Sequence, residues 1–469
     1  MGPDEAGPTG HDGTHGGIVA AGTAVDQRAV CACRAQLHAQ VVVPHPRARS
    51  RTKRAPRPDR VRLGRRQAGG SFTMVDVTAA PIGRRLREIR LWRGLSLRAV
   101  AELAGFSASY LSLIERGQRP VDKRSTLESL AAALRVAPSE LGSSFPPAGR
   151  ADGLIAARTF LTRIEEALSD IEVGEGEATE PWTGIRTRLD EMAAARFRND
   201  YTRQAELLPG LIADLNGCVG GGRRRDALQA LCGVYQRAAV TAKTLGVRGL
   251  PAFAALRARQ AADQLDDPAW HGFAAMVTAS TSGRARAIAL ADRSIDALAG
   301  RLDDVRCREM AGALHLGAAL SEATMGRPDR AAERLDEAER LATGIADGHG
   351  FAGMLFGPTN VRVWRLSVAV ESGEGGRVRE LAAGWDVRTI PVPGRHADYW
   401  SEIGRGLAAS TATHEEAVAA LLRAEKLAPQ RIRAHPLIRE TVADLHRRSR
   451  GRALDRDLRG LAWRMGVGA

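Results

Sequence analysis

Between residues 96 and 123 stand the side chains best suited to holding an anion: Ser96, Arg98, Ser107, Ser109, Tyr110, Ser112, Arg116, Arg119 and Lys123, with Ala108 and Leu113 among them. Hydroxyls and guanidinium groups donate to phosphate oxygens, and Lys adds a point charge, so the chemistry offered is recognition of a polyanion. Bond-breaking chemistry has no comparable constellation. The chain has no H-E-x-x-H, no G-x-x-x-x-G-K-S/T and no G-x-S-x-G. Gly220–Gly222 followed by Arg223–Arg225 lacks a preceding strand and reads as a helix–helix loop. Cys31-Ala-Cys33 with His38 and His45 fits no zinc spacing, and the five cysteines make no disulfide framework for 469 residues. No enzyme, metal or cofactor is expected.

Those polar residues need helices to present them. Ile82, Leu86, Ile89 and, less regularly, Leu91 form an apolar stripe interleaved with arginines, and Gly94 ends that helix. Ser96 caps a helix over Leu97–Ala104, and Gly105 stops it. Ser107 caps Ala108–Arg116, and Gly117 closes it; further helices follow near 125–134 and 138–141. Two short helices joined by a tight turn hold the second in a DNA major groove. Gly105 supplies the turn, Ala101 the close approach, and Val100, Leu103, Leu111 and Ile114 the spacing of core anchors. Ser107, Ala108, Ser109 and Ser112 are left for the outward face.

The run IGRRLREIRLWRGLSLRAVAELAGFSASYLSLIERGQRP (82–120) resembles the XRE family, the Cro and phage-repressor type of helix-turn-helix domain. The resemblance implies a five-helix domain that binds double-stranded DNA as a homodimer on two half-sites, with Ser107–Arg116 as recognition helix. It places Ala108, Ser109 and Leu113 at base-reading positions, with Ser112 close by. Ala108 and Leu113 depart from the polar pattern and offer only apolar contact, for instance to a thymine methyl. Packing against the first helix is an equal reading for Leu113. Leu97 likewise replaces a common polar residue. Arg98, Arg116, Arg119 and Lys123 flank the recognition helix and suit phosphates, together with the helix N-termini at Ser96 and Ser107. Tyr110 reads as core packing or a phosphate hydrogen bond. The resemblance also pairs Arg90 with Glu115 as a structural lock.

Charge follows the same division. Of the net +14, residues 1–73 carry twelve Lys/Arg against five Asp/Glu, and residues 74–150 carry twelve against seven. Positive charge concentrated at one end is the footprint of a polyanion partner. Residues 1–73 read as a disordered basic extension, with Met74 as an alternative start. Residues 74–145 are the helix-turn-helix domain and 146–153 a linker. Residues 154–469 read as helical, since aromatic residues make up only 4% and Ala and Leu dominate. Three stretches, 285–298, 329–342 and 415–428, align at offsets of 44 and 86, the mark of stacked helix pairs in an α-solenoid. This part resembles the tetratricopeptide-like region of actinobacterial XRE regulators. The resemblance implies dimerisation, sensing of a peptide or protein effector, or both. Peptide sensors of that architecture grip backbones with inward-facing Asn, and this chain offers only Asn199, Asn216 and Asn360. Trp364, Trp385 and Trp400 are expected to pack in the core. With no apolar run of eighteen residues the expected setting is the cytoplasm, at the nucleoid and away from membranes. The expected fold is all-α: a five-helix helix-turn-helix domain, then a tetratricopeptide-like solenoid. A non-enzymatic adaptor, whose helix-turn-helix contacts protein, is the competing reading.

Overall fold

The computed structural model describes residues 82–142, 154–170, 172–449 and 455–467. The chain divides at Met74 into two units, and all of these residues lie in the second. The expectations for residues 1–73, including Cys31, Cys33, His38 and His45, and for the linker at 146–153, fall outside the described residues.

Every regular element among the described residues is a helix. The first five are α1 (Ile82–Trp92), α2 (Leu97–Ala104), α3 (Ala108–Glu115), α4 (Arg124–Ala133) and α5 (Pro138–Gly142). Local chemistry sets their ends. Ser96 Oγ accepts from the Ala99 amide at 3.1 Å and Ser107 Oγ from the Tyr110 amide at 3.1 Å, each satisfying an N-terminal donor. Gly105 takes φ +75°, a left-handed conformation that closes α2 at low cost only for glycine. Leu86, Val100, Leu111, Leu130, Leu134 and Leu141 fill the core with no exposure. Two expected core residues are corrected. Leu103 is 66% exposed and Leu91 58% exposed, because α2 buries Val100, Ala101 and Ala104, and α1 buries Leu86 and Ile89.

The remaining helices are α6 (Leu154–Thr159), α7 (Leu161–Ser169), α8 (Trp182–Phe197), α9 (Tyr201–Cys218), α10 (Arg224–Thr244), α11 (Leu250–Leu265), α12 (Pro268–Thr281), α13 (Arg284–Leu298), α14 (Val305–Thr324), α15 (Pro328–Ala342), α16 (Pro358–Ser372), α17 (Val378–Leu381), α18 (Pro393–Leu407), α19 (His414–Leu427), α20 (Pro429–Ala434), α21 (Pro436–Arg448) and α22 (Asp455–Arg464). From α8 to α16 each packs on its successor. In addition α10, α12, α14, α16 and α18 touch one another in turn, forming one continuous layer with α11, α13, α15 and α19 against it. That is the stacking of helix pairs expected from the repeats. The three aligned stretches are α13, α15 and α19, and the matching Ala331, Leu335, Ala338, Ala417, Leu421 and Ala424 are all buried. Their small side chains let helices approach closely, which is why an Ala-rich pattern repeats.

The helix-turn-helix domain is built into this array. Leu437 of α21 completes its hydrophobic core. The N-terminus of α4 has no side-chain cap of its own, since Lys123 occupies the position. Glu371 of α16 supplies it: one carboxylate oxygen accepts from the Ser125 amide at 2.8 Å, the other from the Arg124 amide at 3.0 Å. Glu440 of α21 accepts from the first amide of α1, at Ile82. Arg124 also reaches Glu402 at 3.3 Å, Arg405 donates to the Asp122 carbonyl at 2.7 Å, and Arg284 pairs with Glu128 at 2.9 Å.

His435, between α20 and α21, lies under this junction. Burial, with Arg124, Arg405 and Arg431 nearby and only Asp398 opposing, holds its pKa well below the usual value. The unfolded chain therefore takes up a proton near pH 6.5 that the folded chain refuses, and stability falls as pH drops through that value. Relative to His435→Asn, which retains a capping side chain, the wild-type chain is expected to lose up to about 1.4 kcal/mol per pH unit below pH 6.5. Urea unfolding of both proteins at pH 7.5, 6.5 and 5.5 measures this; parallel profiles would contradict it.

Candidate nucleic-acid interface

Helices α2 and α3 are bent against each other by 109°, within the range of helix-turn-helix motifs. By length and composition this bent pair also passes as a broken membrane span; no single helix among the described residues is long and apolar enough to cross one. The close approach of α1 to α3 depends on Gly83, since a Cβ there would lie 1.9 Å from the Ile114 carbonyl oxygen.

Helix α3 buries Leu111 and Ile114 and turns its other side to solvent. Ser107, Ser109, Arg116 and Arg119 are exposed, while Ala108, Tyr110, Ser112 and Leu113 are half-buried. Ser107 Oγ and Ser109 Oγ lie 3.2 Å apart. Arg116 donates to Ser112 Oγ at 2.8 Å and to Gln118 Oε1 at 3.1 Å, which folds its guanidinium back over the end of the helix. Tyr110 packs its ring 5.2 Å from that of Phe106, with the Arg119 guanidinium 6.0 Å above it.

The one carboxylate on α3 is withdrawn from this surface. Glu115 accepts from Arg90 Nε at 2.6 Å and Nη2 at 2.8 Å, a two-pronged pair with side chains 5% and 10% exposed. Arg90 also donates to the Leu95 carbonyl at 3.0 Å, so one guanidinium ties α1, the turn before α2 and α3 together. Such a pair fixes geometry through parallel, charge-assisted bonds. Arg98 instead pairs with Glu102 at 2.8 Å in full solvent, an interaction worth roughly 0.3–0.5 kcal/mol and readily exchanged for a phosphate.

Lys123 sits differently from the other flanking cations: it is half-buried, with its ammonium beside Gly373 of the array. Sequence reasoning missed Arg447 of α21, whose guanidinium approaches Gly117 just past α3 while pairing with Asp444 at 2.8 Å. No local signal could reveal a residue so far along the chain.

The asparagines named for peptide binding are all occupied internally. Asn199, at φ +55°, is wedged against Gly394. Asn216 donates to Tyr235 Oη at 3.0 Å, and Asn360 accepts from Arg395 at 2.6 Å. Trp364, Trp385 and Trp400 pack partly buried against the hydrophobic core, the last two on either side of Tyr399. Among the described residues no group of three His, Cys, Asp or Glu is arranged to hold a metal.

Residues 81–142 match the model of a helix-turn-helix domain family. A Bacillus subtilis (strain 168) protein described as the uncharacterized HTH-type transcriptional regulator RghRB is 40% identical over 57 residues, covering 12% of this chain and 41% of that protein. The chain thus matches less than half the length of that relative. A crystal structure of Bacillus thuringiensis PlcR, in complex with the peptide PapR7 and DNA, aligns over 72% of this chain and 98% of its own at 13% identity and a TM-score of 0.24. A likeness that slight decides nothing about this chain. The first of these matches and the geometry agree: residues 81–142 are a helix-turn-helix domain.

Removing one partner of the Arg90–Glu115 pair strands a buried charge. Arg90→Met alone is expected to destabilise the protein by about 3 kcal/mol, and Arg90→Met with Glu115→Leu by much less than the sum of the single changes. Unfolding of the two single variants and the double variant measures the coupling. Additive losses would show that the pair does not act as a unit.

Proposed function

We propose that the chain is a sequence-specific, double-stranded-DNA-binding transcription regulator of the XRE type. Its recognition helix α3 enters the major groove, and the tetratricopeptide-like array serves dimerisation, effector sensing or both. The observation that carries this reading is an exposed helix face with hydroxyls and arginines on it and its single carboxylate locked away by Arg90. Ser109 and Ser112, with apolar contacts from Ala108 and Leu113, would read bases. Ser96, Arg98, Ser107, Tyr110, Arg116 and Arg119 would hold phosphates, joined by Lys123 once it leaves Gly373. With so few strong donors toward base edges, DNA shape carries much of the specificity. A homodimer on two half-sites, acting in the cytoplasm at the nucleoid, completes the proposal. Leu91, Trp92 and Leu103 leave apolar surface on this domain for a second copy.

Selection of bound duplexes from a random-sequence library with the full chain tests the reading. A single enriched motif in two half-sites supports it. Salt-sensitive binding with no preferred sequence would support the adaptor reading instead. Arg116→Ala is expected to weaken binding to all sequences alike and to lower the slope of log K against log salt by about one. A loss confined to one base position would contradict the phosphate assignment.

A further inference from the structure

Where the beginning of the array meets its end, arginines collect without enough carboxylate to balance them. Arg196 at the end of α8 donates to the Gly353 carbonyl. Tyr201 at the start of α9 takes a bond from Arg431 of α20 at 3.3 Å, and its amide donates to Gln430 at 2.8 Å. Arg237 of α10 has only the Gln236 side-chain oxygen, at 2.6 Å, and its charged neighbours are Arg196, Tyr201 and Arg431. Asp398 of α18 is already shared by Arg431 at 2.7 Å and Arg395 at 2.9 Å, and Glu402, one turn further on and also paired with Arg124 and Arg405, acts on Arg395 as well. One amino group of Arg395, Nη2, is buried with no partner, while its guanidinium lies 5.2 Å over the Trp364 ring.

Four half-buried guanidinium groups share Asp398 and part of the influence of Glu402, an excess of positive charge in a partly desolvated place, where charge is costly unless paired. Burial, with Arg196 and Arg431 close by, pulls the Arg237 guanidinium down to about 9. Burial lowers Arg196 and Arg395 as well. The cleft lined by Arg225, Asp267, Asp304 and Arg306 shows the contrast. There Arg306 meets Asp267 at 2.9 Å and Asp304 at 2.7 Å, and the charges cancel within the protein.

We propose that Arg196, Arg237, Arg395 and Arg431, with Tyr201, form a binding site for a multiply charged oxyanion, a carboxylate or phosphate group of a small ligand. Planar guanidinium groups suit such oxyanions through paired N–H donors. The site also has a physical route to the helix-turn-helix domain. Arg395, Asp398, Glu402 and Arg405 form one stripe along α18; Glu402 binds Arg124 and Arg405 binds the Asp122 carbonyl, both just beyond the recognition helix. Arg431 leads through His435 into α21, whose Leu437 lies in the domain's core. That the ligand alters DNA affinity rests on the regulator reading; that the site binds an oxyanion does not.

The test is thermal unfolding of the full chain at constant ionic strength in chloride, inorganic phosphate or citrate. Wild type, Arg237→Met, Arg196→Met and the exposed control Arg286→Met are compared. Phosphate, citrate or both should raise Tm above chloride by about 2 °C or more in wild type and Arg286→Met. The rise should vanish in both Arg237→Met and Arg196→Met, which give two independent chances of a folded variant. A response to phosphate alone shows a site that prefers phosphate groups, and one to citrate alone a site that prefers carboxylates. Equal Tm in all three salts, or a rise retained in both Met variants, overturns the site. DNA affinity measured with and without the active anion then reports separately on the regulator reading.

Discussion

Two helices that pack around α3 begin on carboxylates that are not part of their own domain. Glu371 gives its two oxygens to the first amides of α4, and Glu440 receives the first amide of α1. A neutral side-chain cap is worth about 1 kcal/mol, and a hydrogen bond to a charged group about 1.5–3 kcal/mol. The two carboxylates therefore outweigh an exposed pair such as Arg98–Glu102 several-fold. Leaving any of these three amides uncapped and buried would cost a comparable amount, so docking is tied to the integrity of the domain itself. The helix-turn-helix is consequently not a bead on a tether: its core is closed by Leu437, and its helices are capped from outside.

This arrangement has a mechanical consequence. α1 and α4 are each held from the array, and α3 is held to α1 by Arg90–Glu115 and by the contact at Gly83. A displacement of α16, α18 or α21 would therefore be passed to α3 through rigid, directional bonds. Packed interfaces of this kind have discrete arrangements and do not deform continuously, which is the condition for a two-state response. The buried carboxylates also make the coupling charge-dependent. Glu371 is kept ionised by Arg124 against the cost of its burial, whereas burial pushes Glu440 up despite the Ile82 and Val121 amides.

Local features were legible in the sequence because they have local causes. Ser96, Gly105 and Ser107 mark the ends of α2 and α3 through bonds that span only a few residues. The repeats at 329–342 and 415–428 were readable because the same buried positions recur on α15 and α19. Leu103 was misread for a definable reason: on an eight-residue helix, Val100 with Leu103 and Ala101 with Ala104 have the same spacing. Only the tertiary structure chooses the smaller, closer-packed face. The resemblance to XRE domains supplied the Arg90–Glu115 pair, which spacing alone does not. What the sequence withheld is long-range: caps from Glu371 and Glu440, the core contribution of Leu437, and Arg447 beside Gly117.

Net charge hides more than it tells in the second part of the chain. Residues 151–469 carry only two more Lys/Arg than Asp/Glu, which reads as an electrically neutral scaffold. The fold sorts those charges by place. Outer surfaces carry short-range pairs such as Arg340–Glu337 and Arg377–Glu374, which cancel locally. The arginines of α8, α10, α18 and α20 converge where the two ends of the array meet, with Asp398 and, more weakly, Glu402 to answer them. Near-neutral composition and a locally positive, half-buried cluster are thus compatible, because solvent screens the first set of charges more fully than the second. Burial depresses the basicity of Arg196, Arg237 and Arg395 while Asp398 holds Arg431 up, and the proposed oxyanion would offset the first three. The same bonds that would hold the anion lie on the helices that cap and pack the DNA-binding domain. Charge balance at one end of α18 is therefore mechanically linked to the docking of α4 at the other.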